Sequence, residues 1–187
     1  KEQIFFFIYG LLDSVEYREK FKNNLFKEQP RIPIIPEYDL FQTLSDLGKK
    51  LSDLHVNFDS VEKYPIQLKE GDLRLLYIEN PVEFFKVKKM RFADKSKETV
   101  IYNSNLTIQN IPIEAYDYQI SGRSALEWVM ERQAIKTDKK SGIINDPNDY
   151  ANNIIENPAY PLELFQRIIT VSLETNRIVN SIPPLGL

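Results

Sequence analysis

Apolar positions along this chain recur at helical spacing towards both ends and in short β-branched runs through the middle. Ile4 to Leu12 is apolar on every side, the pattern of a buried helix, with a buried strand as the alternative. Asp13 followed by Glu16 predicts a capping box that opens a second helix reaching about Leu25. On it Tyr17, Phe21 and Leu25 share one face, with Arg18, Lys20 and Lys22 outside. Pro30, Pro33 and Pro36 exclude a helix from 30–36, because proline fixes φ and removes a backbone donor. An extended connector packed through Ile32, Ile34 and Ile35 is expected there. From Tyr38 to His55, Phe41, Leu44, Leu47, Leu51 and Leu54 recur at spacings of three and four, which predicts one amphipathic helix.

Beyond Val56 the period shortens. Leu73–Ile78, Phe84–Phe92, Thr99–Asn103 and Leu106–Ile111 are short runs rich in β-branched and aromatic residues, separated by Asn, Gly and Pro. They read as strands of a small, mostly antiparallel sheet, with Ser104-Asn105 as a hairpin turn. Helical signals then return. Ser124 and Glu127 have capping-box spacing ahead of Trp128, Val129 and Met130. Thr137 to Asp149 reads as a polar loop. Pro161 suits the first turn of a long helix that buries Leu162, Phe165, Ile168, Ile169 and Leu173 and stops before Pro183-Pro184. The layout is an α+β fold, with a β-rich middle between helical flanks. One domain over residues 1–187 is expected, with a helical docking segment (1–55), a β-rich part (56–122) and a helical part (123–187).

Composition narrows the classes. The 187 residues are 42% hydrophobic, which supports a core, and contain no cysteine. Disulfides, thiolate zinc sites and thiol catalysis are thereby excluded, and a cytoplasmic setting fits. IFFFIYGLL near the N-terminus is far shorter than the ~20 residues a membrane span needs and carries no secretory-signal pattern. The chain begins at Lys1, almost inside this apolar segment, as a piece of a longer protein would.

A net charge of −3 excludes a uniformly basic nucleic-acid coat. It leaves room for a local basic face, since charges act within roughly 10 Å in physiological salt. Lys86, Lys88, Lys89, Arg91, Lys95 and Lys97 form one such group, opposed only by Asp94 before Glu98. On a strand Lys86, Lys88 and Met90 would share one face, and Lys89 and Arg91 the other. Arg132, Lys136, Lys139 and Lys140 form a second group, near Gly142 and Asn145. Such cations neutralise phosphates, and Tyr102, Asn103 and Asn105 nearby are candidates for contacts to bases or phosphates, since amides read adenine edges. The bland alternative is a solvated strand face.

Catalytic patterns are missing. The single histidine, His55, has no second His or Cys with which to hold a metal, and reads as a satisfied structural side chain at a helix end. Asn157-Pro-Ala-Tyr160 differs at its third position from the tetrapeptide with which adenine-N6 methyltransferases hold a flipped base, and reads as a turn before a helix. Gly71 and Gly142 are isolated, so no phosphate-cradling loop is present. Glu114 and Asp117 are better explained by a turn than as an acid/base pair.

Several segments resemble a known family. YGLLDSVEYREKFKNNLFKEQPRIP (Tyr9–Pro33) is similar to the segment after the catalytic domain of large single-chain restriction-modification enzymes. LGKKLSDLHVNFD, KVKKMRF, IPIEAYDYQISGRSALEWVMERQAIKTDKKSGIINDPND and VSLETNRIVNSIPPL resemble the carboxy-terminal specificity domain of the Type ISP class. The resemblance implies a parent with a nuclease, a helicase-like ATPase and an adenine-N6 methyltransferase, followed by this target-recognition part. It implies double-stranded DNA as partner, read through the major groove, and docking on the parent's methyltransferase domain, with no membrane involved. S-adenosylmethionine, ATP and Mg would belong to the other domains, leaving this one without cofactor or catalytic residue. The alternative is a coupling module that docks on the methyltransferase with little DNA contact. Because target readers diverge where they touch bases, Tyr118 and Trp128 in the recognisable stretch are expected to pack in the core. Arg123, just before a helix N-terminus, is a candidate phosphate contact.

Overall fold

The computed structural model describes residues 1–25, 27–69 and 78–187. Contacts divide the chain into two compact units, Lys1–Phe58 with Glu174–Leu187, and Asp59–Leu173.

The first unit is built on helices α1 (Glu2–Asp13), α2 (Val15–Leu25) and α3 (Tyr38–Val56). Its core is Phe7, Leu11, Tyr17, Leu44 and Leu185, flanked by Phe21, Leu25, Ile35 and Phe41. Helices α1 and α3 approach closely where Gly10 faces Gly48. A Cβ on Gly10 would lie 2.6 Å from the Leu44 carbonyl oxygen, and one on Gly48 would overlap the Phe6 carbonyl. Only hydrogen at these Cα atoms lets the two backbones come this near. Ser45 strengthens the contact by donating from its Oγ to the Gln3 carbonyl at 3.1 Å.

His55 lies near the end of α3, with Nδ1 2.8 Å from the Tyr9 hydroxyl and Nε2 2.8 Å from the Thr175 hydroxyl. Both ring nitrogens are satisfied, as expected of a structural histidine. The chain's last residues are held by the Glu16 carboxylate, which accepts the backbone N–H of Leu185 at 2.6 Å and of Leu187 at 2.7 Å. Those two hydrogen bonds lower the Glu16 pKa.

Three details differ from the sequence reading. The Ile4–Leu12 helix is not buried all round, for Ile4 and Phe5 stand exposed while Phe7 and Leu11 face the core. Ser14 rather than Asp13 caps α2, its Oγ accepting the Tyr17 N–H at 3.3 Å, while Asp13 pairs with Arg18 at 3.3 Å. In the proline connector only Ile35 packs on the core, and Ile34 is 94% exposed. Alternation along an extended segment turns neighbouring side chains to opposite sides.

The second unit surrounds a four-stranded antiparallel sheet. Its strands are β1 (Gln67–Leu68), β2 (Arg91–Phe92), β3 (Val100–Ile101) and β4 (Thr107–Gln109), in spatial order β1-β4-β3-β2. The β3–β4 hairpin turns through Ser104-Asn105, as expected, with Val100 opposite Ile108. Val87, Tyr102, Leu106, Ile108, Ile111, Leu126, Phe165 and Ile169 form its core. Leu126 comes from α5 (Ala125–Arg132), whose Ser124–Glu127 capping box forms as the spacing predicted. Phe165 and Ile169 come from α7 (Tyr160–Asn180), which ends before the proline pair. Asn157 turns the chain into α7 by accepting the Ala159 N–H at 3.0 Å. Short hairpins β5 (Gln119–Ile120) with β6 (Arg123–Ser124), and β7 (Lys136–Thr137) with β8 (Ile144–Asn145), complete the unit. Among the described residues no helix is long and apolar enough to cross a membrane.

The expected Phe84–Phe92 strand is instead a short helix, α4 (Pro81–Phe85), an irregular loop, and β2. Asn80 and Pro81 start that helix, the Asn80 side chain accepting the Glu83 N–H at 3.2 Å. The polar 137–149 segment contains the β7–β8 hairpin and opens α6 (Pro147–Asn153), capped by Asp146. The Leu73–Ile78 strand falls on residues that, Ile78 apart, lie outside those described.

The loop from Lys86 to Met90 is held by side-chain amides. Asn148, 4% exposed, accepts the Val87 N–H at 2.9 Å and donates to the Val87 carbonyl at 2.9 Å. Asn103 donates to the carbonyls of Phe84 (2.8 Å) and Lys86 (3.1 Å), and the Tyr102 hydroxyl donates to that of Phe85 at 2.7 Å. Buried backbone groups with no strand partner must be satisfied in some such way.

Three outcomes follow. Gly48→Ala forces α1 and α3 apart and lowers stability by about 1–3 kcal/mol or more in chemical denaturation. Asn148→Ala strands two backbone groups of Val87 and costs about 2–4 kcal/mol in the same measurement. Burial, the largest effect, lowers the His55 pKa, with Arg18 acting the same way and Asp13 opposing. The unfolded chain therefore takes up a proton on His55 before the folded one does. Its stabilising effect is complete above about pH 6.5 and fades as the pH falls from there towards the lowered folded value. Burial raises the Asp13 pKa against the opposing pull of Arg18 and His55, and that acts in the reverse direction at lower pH. Melting temperature is expected to fall from pH 7 to pH 6, and to fall less in His55→Gln.

Candidate nucleic-acid interface

The amide-held loop and the β3–β4 hairpin enclose a groove of about 810 Å³, lined by Glu83, Lys86, Lys88, Lys89, Arg91, Ile101, Asn103, Ser104 and Thr107. The local sequence explains why cations crowd there. Val87 and Met90 are buried in the core, so the residues between and beside them are turned outward. Lys88, Lys89 and Arg91 are exposed and, among the described residues, none pairs with a carboxylate within 4.0 Å. Lys86 is the exception, 3.7 Å from Glu83. Four cations thus face a single carboxylate in a chain whose net charge is −3. Lysine and arginine in such a groove attract phosphates, while hydroxyls such as Ser104 offer hydrogen bonds to phosphate oxygens or base edges.

The other candidates have different places. Tyr102 is corrected outright, for its ring is fully buried and its hydroxyl is spent on the Phe85 carbonyl. Burial pushes its pKa far above the usual tyrosine range. Asn103 lines the groove, but its Nδ2 serves two carbonyls and its Oδ1 accepts the N–H groups of Asn105 and Leu106, each at 2.8 Å. Asn105 Nδ2 donates to the Phe84 carbonyl at 3.1 Å. These two amides support the basic loop, Asn103 from the groove wall and Asn105 from its exposed place at the hairpin turn.

Lys95 is exposed on the turn between β2 and β3. Lys97 bends back, with Nζ 3.1 Å from Glu127 and 5.3 and 5.6 Å from the ring centres of Phe92 and Tyr116. Partial burial pushes the Glu127 carboxyl up, but hydrogen bonds from Ser124 and Lys97 outweigh it and hold the pKa below the usual value. Lys97 is therefore a structural cation that ties the turn to the start of α5.

Arg123 pairs with Glu131, and its guanidinium lies 5.0 Å from the Trp128 ring centre; Arg132 lies 5.5 Å from the same ring. Trp128 is half-buried with its Nε1 on the Ile120 carbonyl at 2.9 Å, so it packs between guanidiniums at the surface and not in the core. Lys136 shares Glu131 with Arg123, at 3.0 Å. Lys139 and Lys140 stand exposed at the β7–β8 turn. The groove lining gathers Lys86, Lys88, Lys89, Arg91 and Asn103, and does not extend to the 136–140 cations.

Sequence reasoning missed Ser104 and Thr107 as groove residues, and Asn148 as the clamp on the Val87 backbone. The Asp146-Pro147 pair was a readable helix start for Asn148. Its reach to Val87, 61 residues away, had no local signal. Among the described residues no group of three or more His, Cys, Asp or Glu side chains stands where it could hold a metal ion.

Comparison with known proteins fits this arrangement. A family model described as the Type ISP C-terminal specificity domain matches residues 1–164. A nuclease-deletion mutant of the Type ISP restriction-modification enzyme LlaGI, solved in complex with a DNA substrate mimic, is 37% identical over 98% of this chain, with a TM-score of 0.83. LlaBIII, an ATP-dependent Type ISP restriction-modification enzyme solved bound to DNA, is 34% identical over 96% of this chain, with a TM-score of 0.81. DrdV, solved as a DNA complex, is 32% identical over 97%, with a TM-score of 0.75. No curated protein matches the chain. The chain spans 16%, 11% and 18% of those three solved chains, respectively. With the family model covering most of its length and the fold shared at this identity, the chain belongs to the Type ISP C-terminal specificity domain family.

Proposed function

We propose that this chain recognises double-stranded DNA as the specificity part of a longer Type ISP restriction-modification enzyme. The observation that carries the reading is the groove in which Lys86, Lys88, Lys89 and Arg91 face solvent together. Phosphate contacts by these cations set position and register, and side chains reaching base edges supply sequence preference. The solved relatives, with their DNA complexes, support the same reading.

On this reading the chain itself performs no chemistry. The parent supplies an adenine-N6 methyltransferase, an ATP-dependent translocase and a nuclease, along with S-adenosylmethionine, ATP and Mg, and works in the cytoplasm. The unit formed by Lys1–Phe58 and Glu174–Leu187 is the part that docks on the methyltransferase domain. Ile4, Phe5, Ile34 and Tyr38 stand exposed on it and favour such a contact. Those side chains are also what favours the second reading, a coupling module with little DNA contact of its own.

Replacing Lys88, Lys89 and Arg91 together by Ala in the longer protein separates the two. Affinity for duplex DNA is expected to fall by about tenfold to a hundredfold at physiological salt. The slope of log K against log salt shrinks by about 3, at roughly 0.9 per phosphate released. Unchanged affinity for both target and non-target duplexes would remove this groove from the DNA contact and leave the coupling reading.

A further inference from the structure

The β7–β8 hairpin is rooted in the basic groove at both ends. Just before β7, the Ile135 N–H donates to the Lys88 carbonyl at 2.9 Å. Just after β8, Asn148 holds the N–H and carbonyl of Val87. The ribbon thus rises from the two central residues of the loop that carries Lys86, Lys88 and Lys89, and ribbon and loop are positioned together.

The ribbon itself is well formed. Lys136 pairs with Asn145 and Thr137 with Ile144. The Asp138 N–H closes the turn onto the Ile143 carbonyl at 2.9 Å, and Gly142 takes a positive φ of 72°. Asp138 accepts the N–H groups of Lys140 (3.0 Å) and Ser141 (2.8 Å), so its charge is used inside the turn. Lys139 and Lys140 project at the tip with no carboxylate within 4.0 Å among the described residues.

Side chains on a strand alternate between faces, and cross-strand partners share one. Lys136 reaches back to Glu131 on α5 at 3.0 Å, so its face lies beside α5, although Lys136 and Asn145 are themselves exposed. Thr137 and Ile144 occupy the opposite face, where Ile144 is 65% exposed. Ile143 next to it is 67% exposed as well, and isoleucines left in water beside a threonine, on a ribbon tipped with lysines, suit an apolar feature surrounded by negative charge. The major groove of DNA is such a place. It is about 12 Å wide, admits a two-stranded ribbon, and displays thymine methyl groups between phosphate walls.

Resting on the DNA-recognition reading above, we propose that residues 136–145 form a base-reading ribbon that enters the major groove. Thr137 and Ile144 meet base edges, Ile144 contacting a thymine methyl group, while Lys139 and Lys140 reach the flanking phosphates. The loop carrying Lys88 and Lys89 holds the backbone beside the ribbon's root.

The test is selection of bound sequences from a library of random duplexes by the longer protein. Four forms are compared: wild type, Thr137→Ala with Ile144→Ser, Ile144→Val, and Lys139→Ala with Lys140→Ala. The wild type enriches a motif. The first pair loses preference at one or two positions, including a T·A pair, while bulk duplex affinity stays within about threefold. Ile144→Val retains the motif. The lysine pair weakens all sequences alike and lowers the salt slope by about 2. An unchanged motif in the Thr137/Ile144 variant overturns the ribbon as reader. So does a uniform loss, or a defect in assembly of the longer protein with the motif intact, which would make Ile144 a protein contact. If the wild type enriches no sequence, the recognition reading itself fails.

Discussion

Between α4 and β2 the chain runs through the wall of the larger unit without a strand partner, and its buried N–H and C=O groups have to be paired by something else. Side-chain amides, one phenol and the Ile135 N–H do it. Asn103 and Tyr102 serve the carbonyls from Phe84 to Lys86, and Asn148 serves both polar groups of Val87. In a low-dielectric setting each such bond is costly to lose, so the loop is held in one shape. Because Val87 and Met90 are driven into the core, Lys88, Lys89 and Arg91 are driven out. The positive groove is a by-product of how the backbone beneath it is satisfied, and the β7–β8 ribbon inherits its position from the same bonds.

The smaller unit depends on a different constraint. Gly10 and Gly48 permit two helices to touch along their backbones, and polar bonds then fix the arrangement: Ser45 on the Gln3 carbonyl, His55 between Tyr9 and Thr175, and Glu16 on the last residues. Each of these links residues far apart in the chain, so each closes a long loop. The contact is tight enough that no side chain can be added to either glycine without moving a helix.

Much of this was readable in advance where the controlling signal was local. The capping box at Ser124–Glu127, the Ser104-Asn105 turn, the stripe from Phe41 to Leu54 and the long final helix all rest on residues within a few positions of each other. The errors have a common form. Phe84–Phe92 has the composition of a strand, but Asn80-Pro81 starts a helix and the following loop is held by distant amides. Ile4–Leu12 is apolar throughout, yet only one side meets α3. Tyr102 and Asn103 carry the functional groups of base readers, and the fold commits those groups to backbone carbonyls, whereas Asn105 stays exposed at the turn.

The sequence by itself determined where the longer helices lie, that a small antiparallel sheet lies between them, that basic residues cluster near 86–91, and which family the chain resembles. These follow from periodicity, turn chemistry and charge, which are properties of neighbouring residues. Only the tertiary structure decided which cations stand free. Lys97, Arg123 and Lys136 are drawn to Glu127 and Glu131, whereas Lys88, Lys89 and Arg91 face the groove. The reason is physical: whether a charge or an amide is available depends on what the rest of the chain brings within hydrogen-bonding distance, and no spacing along the sequence encodes that distance.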